Sequence, residues 1–495
     1  METEVLVVGA GPTGLLLAAE LQLGGADVTV IDRLPEPSRL SRAAAVQSRT
    51  LEFLDQRGLL EPLLATGDYP VSRGHFAGLP LDPDRLPPHL PSRSLPQAAL
   101  EAFLTDRLTA QGVPVLHGHE LVALSPDADA VTSTVRHADG EQAFRSAYLV
   151  AADGAHSTVR SLLGLAFPGR PGTVTAIAAD VRLADPHPPR THTRTADGTW
   201  AAQFALDGDL RRLALGGPKH ALPRDVPVTE EEVRAGLAAV YGPEVELLEL
   251  GYAYRITNAA RLVEQYRHGR VLLAGDAAHI HLPIGAQGMN TGLQDAANLG
   301  WKLAATLRGR APAGLLDTYH AERHPVAAQL LRTVQAQGVL WDWQGSDDPD
   351  LAALRQLFAT LMQLPDTMRY LAGLMTGLDL SYPMPDAPDH PLLGRAAPDL
   401  PLTTPAGPRR LRELLRTGRG LLVDPTGTLA GPAAPWTDRV DRATTPDPAI
   451  PALLVRPDGY VCWAAAPGAG EPETLVAALE RWFGGKPVID PGTAG

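Results

Sequence analysis

Six residues near the N-terminus, Gly9-Ala-Gly-Pro-Thr-Gly14, limit what this chain can fold into more than any other stretch. They follow a short apolar run at 5–8 and open an apolar helical segment at 13–23, after which a second apolar run at 27–31 ends in Asp32. Gly9 permits a tight strand-to-helix turn, Gly11 lets backbone approach a pyrophosphate, and Gly14 lets helix and strand pack closely. Asp32 stands 18 residues beyond Gly14 (32 − 14), near the spacing at which an acid meets a ribose 2′-hydroxyl. The pattern predicts a βαβ unit of a parallel sheet with a dinucleotide on the helix N-terminus. Arg33, directly after the acid, suits a nicotinamide 2′-phosphate, an adenine contact or a solvated loop position.

Two later turns repeat the theme. In YLVAADGAHSTVR (148–160) a strand ends in Asp153-Gly154, and a helix begins at 157–160. In GRVLLAGDAAHIHLPIGAQGMNTGLQDAANLGWKL, which opens at Gly269, a buried strand at 270–274 gives way to Asp276, a long Gly-, His- and Pro-rich turn, and a helix at 290–307. Asp276 can accept hydrogen bonds from a polyol or from amides around a phosphate. Residues 285–290 place backbone amides and Asn290 at a helix start, where aligned peptide dipoles favour negative charge. His279 and His281 are read as hydrogen-bonding within the turn in preference to acting as bases. Arg42 occupies a loop able to fold over a pyrophosphate, and Gln97 begins the helix at 97–112.

Residues 70–96, with seven prolines, break the doubly wound pattern and read as an excursion into another layer. From 173 to 254 the periodicity becomes that of antiparallel strands around a helix at 230–240, the expected wall of a substrate pocket. Helices follow at 315–345 and 350–378, then a Pro- and Asp-rich linker at 381–408 and a small α/β unit. Asp139-Gly140 and Asp458-Gly459 are hairpin signals. The formal charge of −13 argues against nucleic acid, which requires a basic surface. The single Cys462 supports neither a disulfide framework nor a thiolate metal site, and no metal is expected. No apolar run approaches the ~20 residues of a membrane span, and no signal peptide is evident, so a soluble cytoplasmic protein is expected.

Taken together, residues 9–14, Asp153-Gly154 with Ser157 and Arg160, and Gly275-Asp276 with Pro283, Gly285, Gly288 and Asn290 resemble the motif set of single-component FAD-dependent aromatic hydroxylases of the para-hydroxybenzoate hydroxylase fold. RTLEFLDQRG, GHFAGLP, GDAAHIHLP, QGMN, YHAERHP and RPDGYVCWA are further similar to bacterial aromatic polyketide hydroxylases of angucycline and anthracycline pathways and to rifampicin monooxygenases. The resemblance implies an α/β fold with a Rossmann-like FAD-binding domain, an inserted, mostly antiparallel substrate-domain sheet, and a C-terminal thioredoxin-like domain, here lacking a Cys-x-x-Cys. The implied FAD-binding domain comprises 1–72, 97–172 and 260–380, and the substrate domain 73–96 and 173–259. The linker spans 381–408 and the terminal domain 409–495.

The same resemblance implies FAD contacts at Gly9, Gly11, Thr13, Gly14, Asp32, Arg33, Arg42, Gln97, Val122, Asp153, Gly154, Arg160, Asp276, Gly288, Met289 and Asn290. Pro283 and Ile284 would lie beside the flavin, and Phe76, Gln203, Arg212 and Pro283 are substrate candidates. No side chain is assigned a catalytic role, because the flavin carries the chemistry. The implied reaction is hydroxylation of a polycyclic phenol by O2 activated on FAD that NADPH or NADH has reduced. The expected partner is a small aromatic molecule, with the chain a monomer or homodimer. Baeyer-Villiger insertion into a ketone, inactivation of an antibiotic, and a non-enzymatic binding role are the competing readings. A flavin halogenase is disfavoured because Trp341-Asp-Trp343 lacks an Ile-Pro partner.

Overall fold

The structure, a computed structural model, describes residues 1–38, 41–86, 88–184, 193–343, 345–346, 348–385, 387, 389–447, 449–466 and 472–486. Its central sheet runs in the order Arg267–His268, Val271–Leu273, Gly140–Ala151, Glu2–Val8, Val28–Asp32, Val115–His117. The five strands from Val271–Leu273 to Val115–His117 are parallel, while Arg267–His268, Val131–His137 and Glu120–Pro126 join the sheet antiparallel. Because both faces are covered, these strands read as unbroken apolar runs: Val5, Leu6, Val7, Val30, Ile31, Leu149, Val150 and Leu272 are fully buried. The Asp139-Gly140 turn joins Val131–His137 to Gly140–Ala151 as a hairpin.

Helix Pro12–Leu23 crosses helix Gln287–Leu307 on one face of this sheet. The approach is close because glycine stands where the helices meet. A Cβ at Gly292 would overlap the Thr13 hydroxyl, and one at Gly300 would overlap the Glu20 side chain. Both helices therefore start at the same edge of the sheet, where their dipoles add.

A second sheet, in the order Thr193–Arg194, Trp200–Asp207, Leu210–Gly216, Thr175–Leu183, Leu247–Thr257, is wholly antiparallel. One face packs on helix Glu230–Tyr241 through Ile177, Ala179, Leu213 and Leu215. The other turns toward the Pro283–Ile284 turn and helix Thr318–Trp341 through Ala176, Ala178, Trp200 and Ala202.

A four-stranded sheet of Val440–Ala443, Gly420–Val423, Ala452–Val455 and Val461–Ala465 with helix Pro472–Phe483 forms the terminal, thioredoxin-like unit. It is fastened to the first unit by buried charge. Arg57 binds Glu20 through two nitrogens at 2.7 and 2.8 Å and donates to the carbonyls of Leu415 and Pro457. Arg456 donates to both oxygens of Glu322, which also accepts from Lys302 and Asn298.

Three expectations change. The helix expected at 350–378 is two, Pro349–Leu361 and Pro365–Thr376, because Pro365 lacks an N–H and holds Leu364 extended. The 381–408 segment contains the strand Pro401–Thr404, paired with Gly407–Arg410, and a bridge from Ser381 to Arg395. Within 73–96, the hairpin His75–Phe76/Leu79–Pro80 packs Phe76 against Leu340, Met368, Leu371 and Met375 of the helical layer. No helix among the described residues is long and apolar enough to cross a membrane.

Candidate active site

A cavity of about 1280 Å³ runs from the glycine turn at 9–13 to an aromatic wall at Trp341 and Trp343. At its first end, Gly9 is left-handed (φ 111°) and fits flush against the Ala152 carbonyl, which a Cβ would overlap. A Cβ at Gly14 would overlap the Gly9 carbonyl oxygen, so Gly14 serves packing and does not line the cavity. Gly11 caps helix Pro12–Leu23 without a side-chain bond, and the space over it is open as far as Glu101 Oε1, 3.9 Å from where a Cβ would stand. Asp32 accepts the Ala10 N–H on one oxygen and the Leu34 N–H on the other, both at 2.8 Å. An open backbone turn at an uncapped helix start, with a fixed acid 22 residues on from Ala10, fits a dinucleotide pyrophosphate and its ribose.

Around this cradle the loop at 41–47 is tied down on every side. Gln97 accepts the Ala43 N–H and donates to Glu101. Arg212 pairs with Asp180 at 2.5 Å and donates to the carbonyls of Ser41 and Arg42. Asn290 accepts the Gln47 N–H at 2.8 Å and donates to the carbonyls of Ala45 and Ala286. Gln47 in turn donates to the Gly285 carbonyl. Burial raises the Glu101 carboxyl to about 7 against the pull of Gln97, with Asp32 adding to the rise and Arg42 opposing it. Burial also raises Asp153, which accepts the Val159 N–H on one oxygen and leaves the other without a partner.

The third turn rests on Asp295. Its buried carboxylate accepts from the Gly275 N–H at 3.0 Å, His279 Nε2 at 2.8 Å and Arg323 Nε at 2.7 Å. Burial opposes ionisation there, but Arg323 and His279 hold the carboxyl below its ordinary value. Ala286 adopts the left-handed region (φ 54°), which starts helix Gln287–Leu307 three residues before the expected Asn290 and turns its first amides toward the cavity.

Of the residues singled out from sequence, Gly9, Gly11, Thr13, Asp32, Arg33, Arg42, Gln97, Asp153, Gly154, Asp276, Gly288 and Met289 line this one cavity, with Gln203, Arg212, Pro283 and Ile284. Gly14, Val122, Arg160, Asn290 and Phe76 do not. Val122 is flanked by Glu120 and Leu121, which do line it. Arg160 donates to the carbonyls of Ala277 and Ala155 and stacks on Phe167. Gln203 pairs with Leu213, so strand alternation puts its side chain on the face toward helix Glu230–Tyr241. His279 is buried beside Asp295, while His281 reaches the cavity and donates from Nδ1 to the Leu282 carbonyl at 2.7 Å. Sequence reasoning passed over Gln47, His75, Glu101, Asp295 and Arg323, although Asp295, a carboxylate inside an apolar helix, signals a buried partner.

The far end of the cavity is mostly apolar. Phe204, Ala178, Ala214, Tyr254 and Ile256 supply the sheet side, and Trp341, Trp343, Met375 and His75 the opposite side. A second cavity of about 610 Å³ adjoins the first through Ala155, His156 and Arg224, and carries Arg160, Arg224 and Arg261 on its walls. No group of residues that could hold a metal ion occurs among the described residues.

Comparison with known proteins agrees with this geometry. Residues 2–334 match the FAD binding domain family and residues 390–486 the aromatic-ring hydroxylase C-terminal family. The chain is 46% identical to 12-dehydrotetracycline 5-monooxygenase/anhydrotetracycline 6-monooxygenase of Streptomyces rimosus, covering 98% of this chain and 99% of that protein. It is 41% identical to a rifampicin monooxygenase of Streptomyces venezuelae over 97% of this chain and 98% of that one. The solved structure of an anhydrotetracycline hydroxylase from Streptomyces rimosus superposes with a TM-score of 0.89 at 45% identity, covering 98% of this chain and all of that one. The chain thus belongs to the FAD-dependent aromatic-ring hydroxylases, and it is a flavoprotein monooxygenase.

Proposed function

We propose that the chain hydroxylates a polycyclic phenol of the aromatic polyketide type, using FAD, a nicotinamide nucleotide and O2. The carrying observation is one continuous cavity of about 1280 Å³ that joins the glycine cradle to an aromatic wall at Trp341 and Trp343. When bound, FAD supplies the redox chemistry, accepting hydride from the nicotinamide nucleotide and activating dioxygen.

The chain's own groups do the rest. Gly9, Gly11 and Thr13 would cradle the pyrophosphate, and Asp32 and Arg33 the adenosine end. Arg42, Gln97, Asp153, Gly154 and Asp276 would lie along the chain between the rings. The amides of Gly288 and Met289, at a helix start, would stabilise negative charge on the reduced pyrimidine ring. Pro283, Ile284 and the tryptophan wall exclude water, which protects the activated oxygen. His281, with its proton on Nδ1, presents Nε2 as an acceptor for a phenolic O–H; burial lowers its pKa, so it stays neutral and accepts a hydrogen bond without taking the proton outright. The adjoining cavity, walled by Arg160, Arg224 and Arg261, suits the phosphates of NAD(P)H, with NADPH favoured by its extra phosphate.

The test follows NADPH oxidation, oxygen uptake and peroxide release with anhydrotetracycline, aklavinone and rifampicin in turn. The reading holds if one compound speeds flavin reduction while peroxide falls and the product gains a single oxygen on a ring carbon. A ring-expanded lactone would replace it with Baeyer-Villiger chemistry, and a protein that binds FAD but never oxidises NADPH would sink it.

A further inference from the structure

We propose that His75 is a substrate-recognition residue whose Nε2–H donates a hydrogen bond to a carbonyl or phenolic oxygen of the polycycle. The inference rests on the functional reading above and deepens it by naming a polar group that the substrate must carry.

Every other part of the imidazole is already committed. Its ring stacks with Phe204 at 6.1 Å between centroids and tilts against Trp341 at 5.3 Å. Nδ1 accepts the Gly78 N–H at 3.1 Å. A neutral imidazole that accepts at Nδ1 carries its proton on Nε2. Among the described residues no protein atom accepts that proton, although the residue lines the large cavity and is only 7% exposed. The Nε2 atom opens onto the cavity, so a ligand oxygen can replace solvent as its acceptor.

The tautomer and the position are both fixed. Burial, and then the nearby Arg355, push the imidazole down to about 4, so at neutral pH the ring reads an oxygen and does not move a proton. The turn beyond it is left-handed at Ala77 (φ 50°) and Gly78 (φ 76°). It is pinned by the Ala77 N–H to Gln337 at 3.2 Å and by Arg355, which donates to the carbonyls of Ala77 and Leu340. The donor is therefore oriented before any ligand arrives, which lowers the ordering cost of binding.

Two substitutions separate recognition from loop support. In His75→Asn the amide oxygen can stand where Nδ1 stood and keep the Gly78 bond, with nothing at the Nε2 position. In His75→Gln the amide nitrogen can stand at the Nε2 position as a donor. The FAD-loaded full chain is titrated with whichever of anhydrotetracycline, aklavinone and rifampicin the wild type binds most tightly, following the flavin absorbance. FAD content and melting temperature are measured alongside. The expected result is roughly tenfold weaker binding in His75→Asn at unchanged FAD content and melting temperature, with most of the loss recovered in His75→Gln. Wild-type affinity in His75→Asn overturns the inference and leaves the functional reading standing. Equal weakening in both variants, in step with lost stability, reduces His75 to loop support and also overturns it. A wild type that binds none of the three compounds removes the functional reading, and the inference falls with it.

Discussion

The two ends of the large cavity are built on opposite plans. At the glycine-turn end most of the polar side chains, Asp153 excepted, are spoken for by the protein itself: Asp32 holds two amides, Asn290 three backbone groups, and, beneath them, Asp295 an amide, a histidine and an arginine. At the tryptophan end the walls are mostly aliphatic and aromatic carbon, and among the described residues the Trp343 indole N–H has no protein partner. The first end is over-determined before a ligand arrives, since each buried bond is costly to lose. The second is shaped by size and by a few unpaired donors, so a change there alters what is bound more than whether the chain folds.

The comparison breaks most visibly if the buried charges beneath the first end prove dispensable. Glu322→Ala strands Lys302 and Arg456, both fully buried, and should cost about 3–5 kcal/mol in urea or thermal unfolding, or leave no soluble protein. A loss below about 1 kcal/mol would mean that these charges hold nothing. Next in size, Gly14→Ala drives a methyl into the Gly9 carbonyl. FAD retention, read from the flavin-to-protein absorbance ratio and by titrating the apoprotein, should weaken by at least about a hundredfold, or ~3 kcal/mol.

Glu101 sharpens the contrast, because burial holds its carboxyl at a cost, as it does that of Asp153. Its folded-state pKa is raised from 4.5 to about 7, so between those values the folded chain binds more protons than the unfolded one. Its contribution to apoprotein stability therefore falls as pH rises from 4.5 to 7 and is level above. Glu101→Gln should match the wild type near pH 4.5 and exceed it at pH 8 by on the order of 2 kcal/mol; identical pH–stability curves would refute this. The smallest effect on the fold is expected from Ala178→Leu on the far wall. FAD content should not change, while affinity for a fused-ring ligand drops roughly tenfold, so a variant that lost FAD instead would erase the distinction between the ends.

What was legible in the sequence follows the same division. The glycine turns, the strand-terminal Asp32 and the antiparallel middle sheet are written in residue type and period, and the structure has them where those signals lie. Asn290 and Arg160 were taken as FAD contacts from the motifs that contain them, and Arg212 as a substrate contact on a strand of the middle sheet. Their acceptors are the backbone carbonyls of Ala45, Ala277 and Ser41, and a carbonyl is carried by every residue alike, so no letter announces it. Phe76 was chosen where His75 lines the cavity, because a two-residue strand closed by a left-handed turn gives no period from which to tell inside from outside. Asp295 was missed since its three partners come from the preceding turn and from a helix beyond, and only folding brings them together.

The salt-bridged seam around Glu322 also bears on how the protein is made. Arg456, which closes that cluster, leaves the ribosome 134 residues after Glu322. Until it arrives, Glu322 has Lys302 and Asn298 but lacks its bidentate partner, and the long helix that opens the third turn lacks its final support. A chain cut short before Arg456 would therefore be expected to lose support in its first unit as well as its terminal one.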